Sequence, residues 1–346
     1  MNMRELNYAE AISEATVQAM EKNNGVFVFG EGVDDVVGIF NTTREAFLKF
    51  GAERVIDTPI AENMIAGVAL GAGIMGMHPV AVFARTDFML YAMDQIINHA
   101  AKWSFTYGGK MTAPVIYRAI VGRSWGQGPQ HSQSLQSLFA HIPGLKVVMP
   151  TTAYDAKGLL LASFEEKCPV VFIEHRWLYK EKSDVPEKYY IEPIGKAKVI
   201  RVGSDVTIVA ISQMVLEALG AAEELQKNGV SAEVIDLRTL RPWDKETIVK
   251  SVQKTGYLLI ADTGWLSCSI SSEIAAKVAE DSFGYLKAPI KRIGMADSPT
   301  PSSAKLEEFF YPNRNNIFAS INQMMNRNGV NPKMEIDTNK KFSGSF

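Results

Sequence analysis

The sequence has few cysteines, no excess of either charge and no long apolar run, and each shortage excludes a class of protein. Its two cysteines, Cys168 and Cys268, cannot supply the disulfide framework of a secreted domain or a thiolate cluster for zinc, so we expect a cytoplasmic protein. A formal net charge of −2 excludes nucleic acid and anionic membrane as main partners, because both attract a basic excess. No stretch reaches the roughly 20 apolar residues of a membrane span. The nearest one, 59–77, is interrupted by Glu62.

Several catalytic and binding motifs are missing as well. The five histidines form neither an H-x-H nor an H-E-x-x-H pattern, which argues against a metal site, and there is no Walker A sequence. The sequence of 346 residues is 47% hydrophobic and 21% charged, which is the composition of a globular protein. Its length is sufficient for two domains.

Helix-like and strand-like segments alternate along the chain. The strand-like segments are short, rich in Val and Ile and apolar on both faces, as in VFVFG (26–30) and PVVFIEH (169–175). Such strands are typical of a parallel sheet covered by helices. We therefore predict two doubly wound α/β domains. The predicted segments are a first domain at 1–185, a linker at 186–198, a second domain at 199–328 and a polar, disordered tail at 329–346.

Two short motifs suggest other functions, and their context decides how they are read. Residues 71–76 match the dinucleotide fingerprint G-x-G-x-x-G, but they end an apolar helix and run into a strand, the reverse of what phosphate binding requires. We interpret these glycines as close helix contacts, with Gly76 ending the helix. Residues 122–126 match the G-x-S-x-G of serine hydrolases, with Ser124 as nucleophile. A loop rather than a helix follows, and the last histidine, His175, comes early, so a serine hydrolase stays open as an alternative from a different class.

Glu62 is the single charge in an otherwise apolar segment. One interpretation is structural: Thr58 caps a helix, Pro59 is its first residue, and a carboxylate in the first turn complements the helix dipole. The helix is apolar on all sides, however, which predicts burial. A carboxyl group buried there could share or donate a proton at neutral pH, so Glu62 is also a candidate acid–base group.

Several stretches, taken in order, carry a resemblance to a known family. They are DTPIAE, DFMLYAMDQIINHAAKW, GQGPQHSQSL, FAHIPGLKVVMP, YDAKGLLL, PVVFIEH, VIDLRTLRPWD and APIKRI. Together they resemble the β subunit of the thiamine-diphosphate-dependent 2-oxoacid dehydrogenase E1 component, the transketolase-like family of pyruvate, branched-chain 2-oxoacid and acetoin dehydrogenases. The resemblance runs from about residue 5 to 325. It implies a pyrimidine-binding domain followed by a transketolase C-terminal-like domain.

The resemblance also implies roles for individual residues. Glu62 matches the glutamate that hydrogen-bonds the aminopyrimidine ring of thiamine diphosphate and promotes its imino tautomer. Phe88 matches the aromatic residue that packs on that ring. His131 matches the active-site histidine that faces substrate and the incoming lipoyl group. Glu31 matches an acidic position near a buried subunit interface.

A missing motif implies a partner. In this family a GDG…N motif on the α chain holds the diphosphate and Mg²⁺, and the present sequence has no GDG. We therefore expect an α2β2 heterotetramer in which the cofactor is shared with the α subunit and Mg²⁺ lies on that subunit. Relatives often bind K⁺ in the loop that matches 165–169; Glu166 and Cys168 differ from the usual residues there, so K⁺ binding stays open.

The function that the resemblance implies is an oxidoreductase subunit, active only with its α partner, that decarboxylates a 2-oxoacid and passes the acyl group to a lipoyl arm of an acyltransferase core. Two alternatives stay open: a biosynthetic α/β enzyme that transfers the enamine to another acceptor, and a non-catalytic structural subunit. The sequence does not identify the 2-oxoacid. Arg85, just before Asp87-Phe88, departs from the usually apolar or aromatic residue and points either to a more acidic substrate or to the surface.

Overall fold

The apolar runs of the sequence form buried strands in the computed structural model, which describes residues 3–35, 38–123 and 126–327. The chain divides into two compact units. Within the described residues, the first unit holds 3–122 and 138–194, and the second holds 123–137 and 195–327. Ser124 and the tail 329–346 lie outside the described residues.

The first unit contains a parallel sheet whose strands are buried on both faces, as their unbroken Val, Ile and Phe content predicts. The strands of this unit are β1 (Met3–Asn7), β2 (Val26–Gly30), β3 (Val55–Asp57), β4 (His78–Phe83), β5 (Ile116–Val121), β6 (Lys146–Val148), β7 (Val170–His175) and β8 (Lys182–Pro186). Six of them pair side by side in the order β6–β7–β5–β4–β2–β3, and each neighbouring pair is parallel. β1 and β8 form a separate antiparallel pair.

The order of these strands contains a reversal. From β2 the chain moves outward to β3 and then returns to the other side of β2 as β4. The carboxyl ends of β2 and β4 therefore flank the topological switch point, where ligands bind in open α/β sheets. The predicted doubly wound arrangement is confirmed in this unit.

Helices cover the parallel sheet of the first unit. The helices up to residue 163 are α1 (Tyr8–Lys22), α2 (Arg44–Phe50), α3 (Glu62–Ile74), α4 (Thr86–Met89), α5 (Ala101–Thr106), α6 (Gln136–Ala140) and α7 (Ala153–Ser163). α1 begins with a capping box, in which Asn7 accepts from the backbone N–H of Glu10 at 2.9 Å and Glu10 accepts from that of Asn7 at 2.8 Å. This reciprocal cap explains why α1 begins at Tyr8.

The segment after β4 is helical but not uniform. α4 is followed by a 3₁₀ turn at Leu90–Ala92, a π-helical stretch at Asp94–Ala100 and then α5. π-helical stretches are rare and often occur at functional sites. This segment carries Phe88, so its irregularity falls beside a predicted site residue.

The second unit is a smaller doubly wound sheet. Its strands are β9 (Lys198–Arg201), β10 (Val206–Ala210), β11 (Ala232–Asp236), β12 (Thr239–Arg241), β13 (Leu258–Trp265) and β14 (Lys291–Met295). Five lie in the order β14–β13–β10–β11–β9, parallel except for β9. The helices are α8 (Met214–Lys227), α9 (Lys245–Thr255), α10 (Ile270–Ser282), α11 (Ala304–Phe310) and α12 (Arg314–Met324).

The structure adds two facts to the predicted domain boundaries. The chain passes from one unit to the other at 194–195, inside the predicted linker, and the internal segment 123–137 is counted with the second unit. Among the residues that the structure describes, no helix is both long and apolar enough to cross a membrane.

Candidate active site

At the switch point, backbone hydrogen bonds join the end of β2 to β4 and to the residue that follows β3. The N–H of Glu31 donates to the carbonyl oxygen of Val82 at 3.3 Å, and the N–H of Thr58 donates to that of Gly30 at 3.0 Å. Gly30 has φ +146°, and a Cβ there would lie 2.1 Å from the Val82 oxygen. Only glycine allows this approach, and it fixes Glu31 at the mouth of the crevice.

Glu31 presents a buried carboxyl group in this crevice. Its Oε2 accepts from the backbone N–H of Ala84 at 3.4 Å, while its Oε1 is buried and makes no hydrogen bond within the described part of the chain. Burial, followed by the charges of Glu62 and Asp57, raises the pKa of Glu31 to about 7, against the lowering effect of Ala84. Glu31 and Glu62, which the sequence predicts separately, are therefore near enough for the charge of Glu62 to act on the Glu31 carboxyl group.

Glu62 is the first residue of α3 and is 8% exposed. The predicted helix start at Thr58 and Pro59 is wrong: Ala61 is the N-cap and makes no side-chain capping bond. The reason is the Thr58 N–H, which is bound to the end of β2, so that residues 58–61 leave the sheet before the helix can begin. The later start makes Glu62 the first residue of the helix, where it still lies in the first turn.

The prediction that α3 is buried on all sides is also wrong. Ile65, Ala66, Ala69 and Leu70 are buried, but Met64 and Val68, on another face, are 42% and 48% exposed. The glycine-rich end behaves as expected. α3 stops at Ile74, Gly76 has φ +90°, and β4 follows, so the G-x-G-x-x-G match does not open a helix.

Phe88 lies in the short helix α4, three residues after Arg85, the N-cap of that helix. Its side chain is half-buried, whereas Thr86 and Asp87 beside it are buried. Because α4 follows β4 directly, Phe88 belongs to the same unit as Glu31 and Glu62 and follows a strand that flanks the switch point.

His131 lies in the segment 123–137 of the second unit. His131 does not open a helix: it ends the 3₁₀ turn Gly128–Gln130 and is half-buried, and α6 begins only at Gln136. Gly128, at φ +64°, sets the shape of this turn, and a Cβ there would lie 2.3 Å from Oγ of Ser302.

Three polar contacts anchor the segment that carries His131 within the second unit. Arg123 pairs with the buried Glu307 at 2.6 Å. At the other end Nε2 of Gln136 donates to Oδ1 of Asp262 at 2.8 Å, and Oγ of Ser137 accepts from the backbone N–H of Ile270 at 3.0 Å. Burial raises the pKa of Asp262 to about 6 although Gln136 donates to it.

Comparison with known proteins identifies the family. The chain matches the model of the transketolase pyrimidine binding domain over residues 4–182 and that of the transketolase C-terminal domain over 195–317. It is 43% identical over 312 residues to the pyruvate dehydrogenase E1 component subunit beta of Rhizobium meliloti, covering 90% of this chain and 68% of that protein. It is 42% identical over 324 residues to the 2-oxoisovalerate dehydrogenase subunit beta of Bacillus subtilis, covering 93% and 99%. The chain belongs to the transketolase-like family of E1 β subunits.

Other relatives agree with this family assignment. The acetoin:2,6-dichlorophenolindophenol oxidoreductase subunit beta of Cupriavidus necator is 41% identical over 332 residues, covering 93% of this chain and 98% of that protein. A solved structure described as a split gene transketolase, an inactive beta4 tetramer, has a TM-score of 0.74 at 25% identity, covering 93% and 98% of the two chains. The predicted two-domain α/β fold class and the family resemblance are both confirmed.

In this E1 β family member, a lysine side chain already pairs with the loop 165–169, where K⁺ binding was left open. Nζ of Lys146 lies 2.5 Å from Oε2 of Glu166, and Sγ of Cys168 donates to the same oxygen at 3.8 Å. No cluster of three or more His, Cys, Asp and Glu residues suited to a metal ion occurs in the ranges that the structure describes. The Glu166 carboxylate thus already has a cationic partner, and K⁺ binding stays a prediction.

The hydrolase alternative depends on Ser124, which lies outside the described residues, and on a histidine able to act as base. His175, the last histidine of this E1 β chain, is fully buried at the end of β7, where its Nδ1 accepts from the backbone N–H of Trp177 at 3.3 Å. Burial and the neighbouring Arg176 charge lower the pKa of His175 to about 3. A ring so enclosed is unsuited to exchange protons with a substrate.

The structure singles out one residue that the sequence analysis missed. Arg176 follows β7 directly and is 2% exposed, and Arg85, which follows β4, is 6% exposed. Arg85 is therefore buried and not the surface cation that was one of its two interpretations. The sequence signal for Arg176 was a charged residue immediately after an apolar strand, at the edge of a parallel sheet where ligands bind.

Proposed function

We propose that this chain supplies the aminopyrimidine half of the active site in a thiamine-diphosphate-dependent 2-oxoacid dehydrogenase. The observation that carries the proposal is the pair of buried carboxyl groups, Glu31 and Glu62, at the switch point of a unit that matches the pyrimidine binding domain. The buried Oε1 of Glu31 makes no hydrogen bond within the described residues, so it can accept one from a bound ring. Two carboxyl groups offer several hydrogen-bond acceptors and few donors, and this fits an aminopyrimidine ring, whose amino group donates.

In this proposal thiamine diphosphate supplies a nucleophilic carbon that can take up the electrons released when CO2 leaves a 2-oxoacid. The protein's part is to bind and orient it and to handle protons. Glu62 holds and returns a proton at its carboxyl group, Glu31 provides a second acceptor beside it, and Phe88 packs on the ring. A buried crevice suits this task because burial raises the pKa of Glu31 to about 7, so that this carboxyl group can hold a proton near neutral pH.

His131 serves the second half of the reaction. Transfer of the acyl group to a lipoyl dithiolane requires a proton for the sulfur that leaves, and an imidazole is suited to donate it near neutral pH. The polar contacts of Arg123, Gln136 and Ser137 support this role because they attach both ends of the segment that carries His131 to the second unit. The domain boundaries 1–185 and 199–328, the α2β2 assembly, the Mg²⁺ on the α subunit and the acyltransferase core are parts of the same proposal.

The experiment that tests the proposal uses the chain assembled with its α partner and two assays. One measures CO2 release with an artificial electron acceptor, and the other measures acyl transfer to a lipoyl domain. We expect Glu62→Gln to lose activity in both assays by about 10²–10⁴-fold, the usual contribution of a positioned acid–base group. We expect His131→Ala to lose acyl transfer by at least ~10-fold more than it loses CO2 release.

The matched control is Glu53→Gln, the same change at an exposed glutamate of the first unit. It should behave like the wild type in both assays. Near-wild-type turnover by Glu62→Gln would reduce this residue to a helix-terminal charge. Equal losses in both assays for His131→Ala would place the histidine in decarboxylation instead of transfer.

A further inference from the structure

A lysine at the start of β6 contacts the loop 165–169 through both its backbone and its side chain. The N–H of Lys146 donates to the carbonyl oxygen of Pro169 at 3.0 Å, and β6 pairs in parallel with β7, which follows the loop directly. Nζ of Lys146 lies 2.5 Å from Oε2 of Glu166. The strand pairing therefore brings the ammonium group to the loop, and the proposed mechanism assigns this ion pair no task.

Each of the two carboxylates in this loop has a lysine partner. Glu166 pairs with Lys146, and Glu165 pairs with Lys22 at 2.8 Å. With Lys167, which also belongs to the loop, two negative charges stand against three positive ones. Within the described part of the chain, no further acid lines the crevice beside the loop. The other titratable side chains that line it are His78 and Tyr189. The loop therefore has no uncompensated negative charge that would attract a metal cation.

Backbone carbonyl oxygens around the loop also have hydrogen-bond donors. Those of Ala162 and Ser163, at the end of α7, accept from the N–H groups three residues later at 3.1 and 3.4 Å. That of Lys167 accepts from the N–H of Ala113 at 3.2 Å, and that of Pro169 accepts from the start of β6. Among the described residues, no buried side-chain oxygen of the loop lacks a hydrogen-bond partner. A K⁺ ion needs several oxygen atoms to replace its hydration shell, and these oxygens are already engaged.

Cys168 makes the loop still less suited to K⁺. Its thiol donates at 3.8 Å to Oε2 of Glu166, the oxygen that Lys146 also contacts. Burial raises the pKa of this thiol, against the lowering effect of the Lys146 charge, so the thiol stays protonated at neutral pH. Neutral sulfur is a poor ligand for a hard cation that prefers oxygen. The donor set of the loop therefore does not fit K⁺.

We propose that the Lys146 ammonium group is the built-in cation of this loop, so that the loop holds its conformation without K⁺. An ammonium group carries the same single positive charge as K⁺ and has three N–H donors. Because it is covalently attached, its presence in the loop does not depend on the K⁺ concentration. The inference concerns the stability of the loop and goes beyond the proposed function.

The first test compares the thermal midpoint of the full wild-type chain in KCl and in choline chloride at equal ionic strength. A cation that binds only the folded chain stabilises it by mass action. We expect the wild type to have the same midpoint in both salts, to within about 1 °C. A larger stabilisation by KCl would overturn the proposal. The measurement needs no turnover, so its outcome is independent of the proposed function.

The second test removes the ammonium group with Lys146→Met, which leaves the Glu166 carboxylate without its cation. We expect this variant to melt about 2 °C or more below the wild type in choline chloride, and to recover at least half of that loss in KCl. Lys146→Arg keeps the positive charge, so its midpoint should not depend on K⁺. A wild-type midpoint for Lys146→Met, or a loss that KCl does not reduce, would overturn the proposal. If Lys146→Met does not fold in choline chloride, folding in KCl supports the proposal and failure in both salts overturns it.

A control variant and a local measurement assign the effect to this loop. Lys49→Met removes a lysine that pairs with Glu21 elsewhere in the first unit, and its midpoint should not depend on K⁺. Hydrogen exchange of the peptide 163–170 is measured in the complex with the α partner. K⁺ should slow this exchange in Lys146→Met and leave it unchanged in the wild type. Slower exchange in the wild type would show that the loop binds K⁺, and the proposal would be wrong.

Discussion

At the scale of single residues, the carboxylate pair couples the site to pH. The pKa of Glu31 is raised to about 7, mainly by burial and then by the charge of Glu62. The ordinary value for glutamate is about 4.3, so the folded state binds this proton more readily than the unfolded state does. The stability that Glu31 contributes is therefore complete below that ordinary value and is lost as the pH rises through about 7.

This linkage predicts how Glu31→Gln changes thermal stability. Glutamine can still accept from the Ala84 N–H but cannot ionise, so the variant should gain stability relative to the wild type as the pH rises from 5 to 8. The measurement is the thermal midpoint of both proteins at several pH values in that range. Glu45→Gln, at an exposed glutamate of α2, serves as control and should show no such trend. A difference between Glu31→Gln and wild type that is constant with pH would contradict the prediction.

The sequence predicted single site residues where a motif marked them. It did not predict which of these residues the fold brings together. Glu62, Phe88 and His131 came from matched stretches. The proximity of Glu31 to Glu62 depends on β2, β3 and β4 lying side by side, which local sequence does not encode. The same holds for Arg176, which comes near Arg85 only because β7 and β4 both pair with β5.

At the scale of elements, buried strands and well-capped helices were predictable, and helix starts beside the site were not. β2 lies where its apolar run places it, and α1 begins at its capping box. Thr58-Pro59 has the composition of an N-cap followed by a first helical residue. The Thr58 N–H, however, donates to the carbonyl oxygen of Gly30, and the helix begins only at Glu62. A local pattern fails here because a tertiary hydrogen bond competes with it.

The approach of β2 to β4 gives the element-scale prediction. Gly30→Ala would place a Cβ 2.1 Å from the Val82 oxygen at φ +146°, whereas Gly32→Ala, at φ +65°, meets no atom within 4 Å. We expect Gly32→Ala to lower the free energy of unfolding by about 1 kcal/mol, the cost of a left-handed alanine. Gly30→Ala should cost at least ~3 kcal/mol, or prevent folding, because backbone must move. Denaturant unfolding of both variants measures the difference, and equal losses would contradict the close strand contact.

At the scale of the whole molecule, alternating strands and helices predicted two doubly wound units. They did not reveal that 123–137 is counted with the second unit, because that grouping depends on contacts such as Arg123 with Glu307 and Gln136 with Asp262, between residues far apart in the chain. The sequence did predict that the site is shared with another chain, from a motif that it lacks. Exposed apolar side chains on α3, Met64 and Val68, are consistent with a surface that an additional subunit covers.

The last prediction follows from that shared site. In the proposed site this chain offers carboxylates and an aromatic side chain for the pyrimidine, but its sequence has no GDG motif for the diphosphate and Mg²⁺. Phosphate contacts to a metal and to charged groups carry much of the affinity for such a cofactor, so half of the site should bind weakly.

We expect calorimetric titration of thiamine diphosphate with Mg²⁺ into the isolated chain to show millimolar or weaker binding, and the assembly with the α partner to bind at least ~10²-fold more tightly. Thiamine without its diphosphate serves as the control ligand and should gain much less from the partner. Micromolar binding of the diphosphate by the isolated chain would show that this chain holds the diphosphate itself, and the division of the site between two subunits would then be wrong.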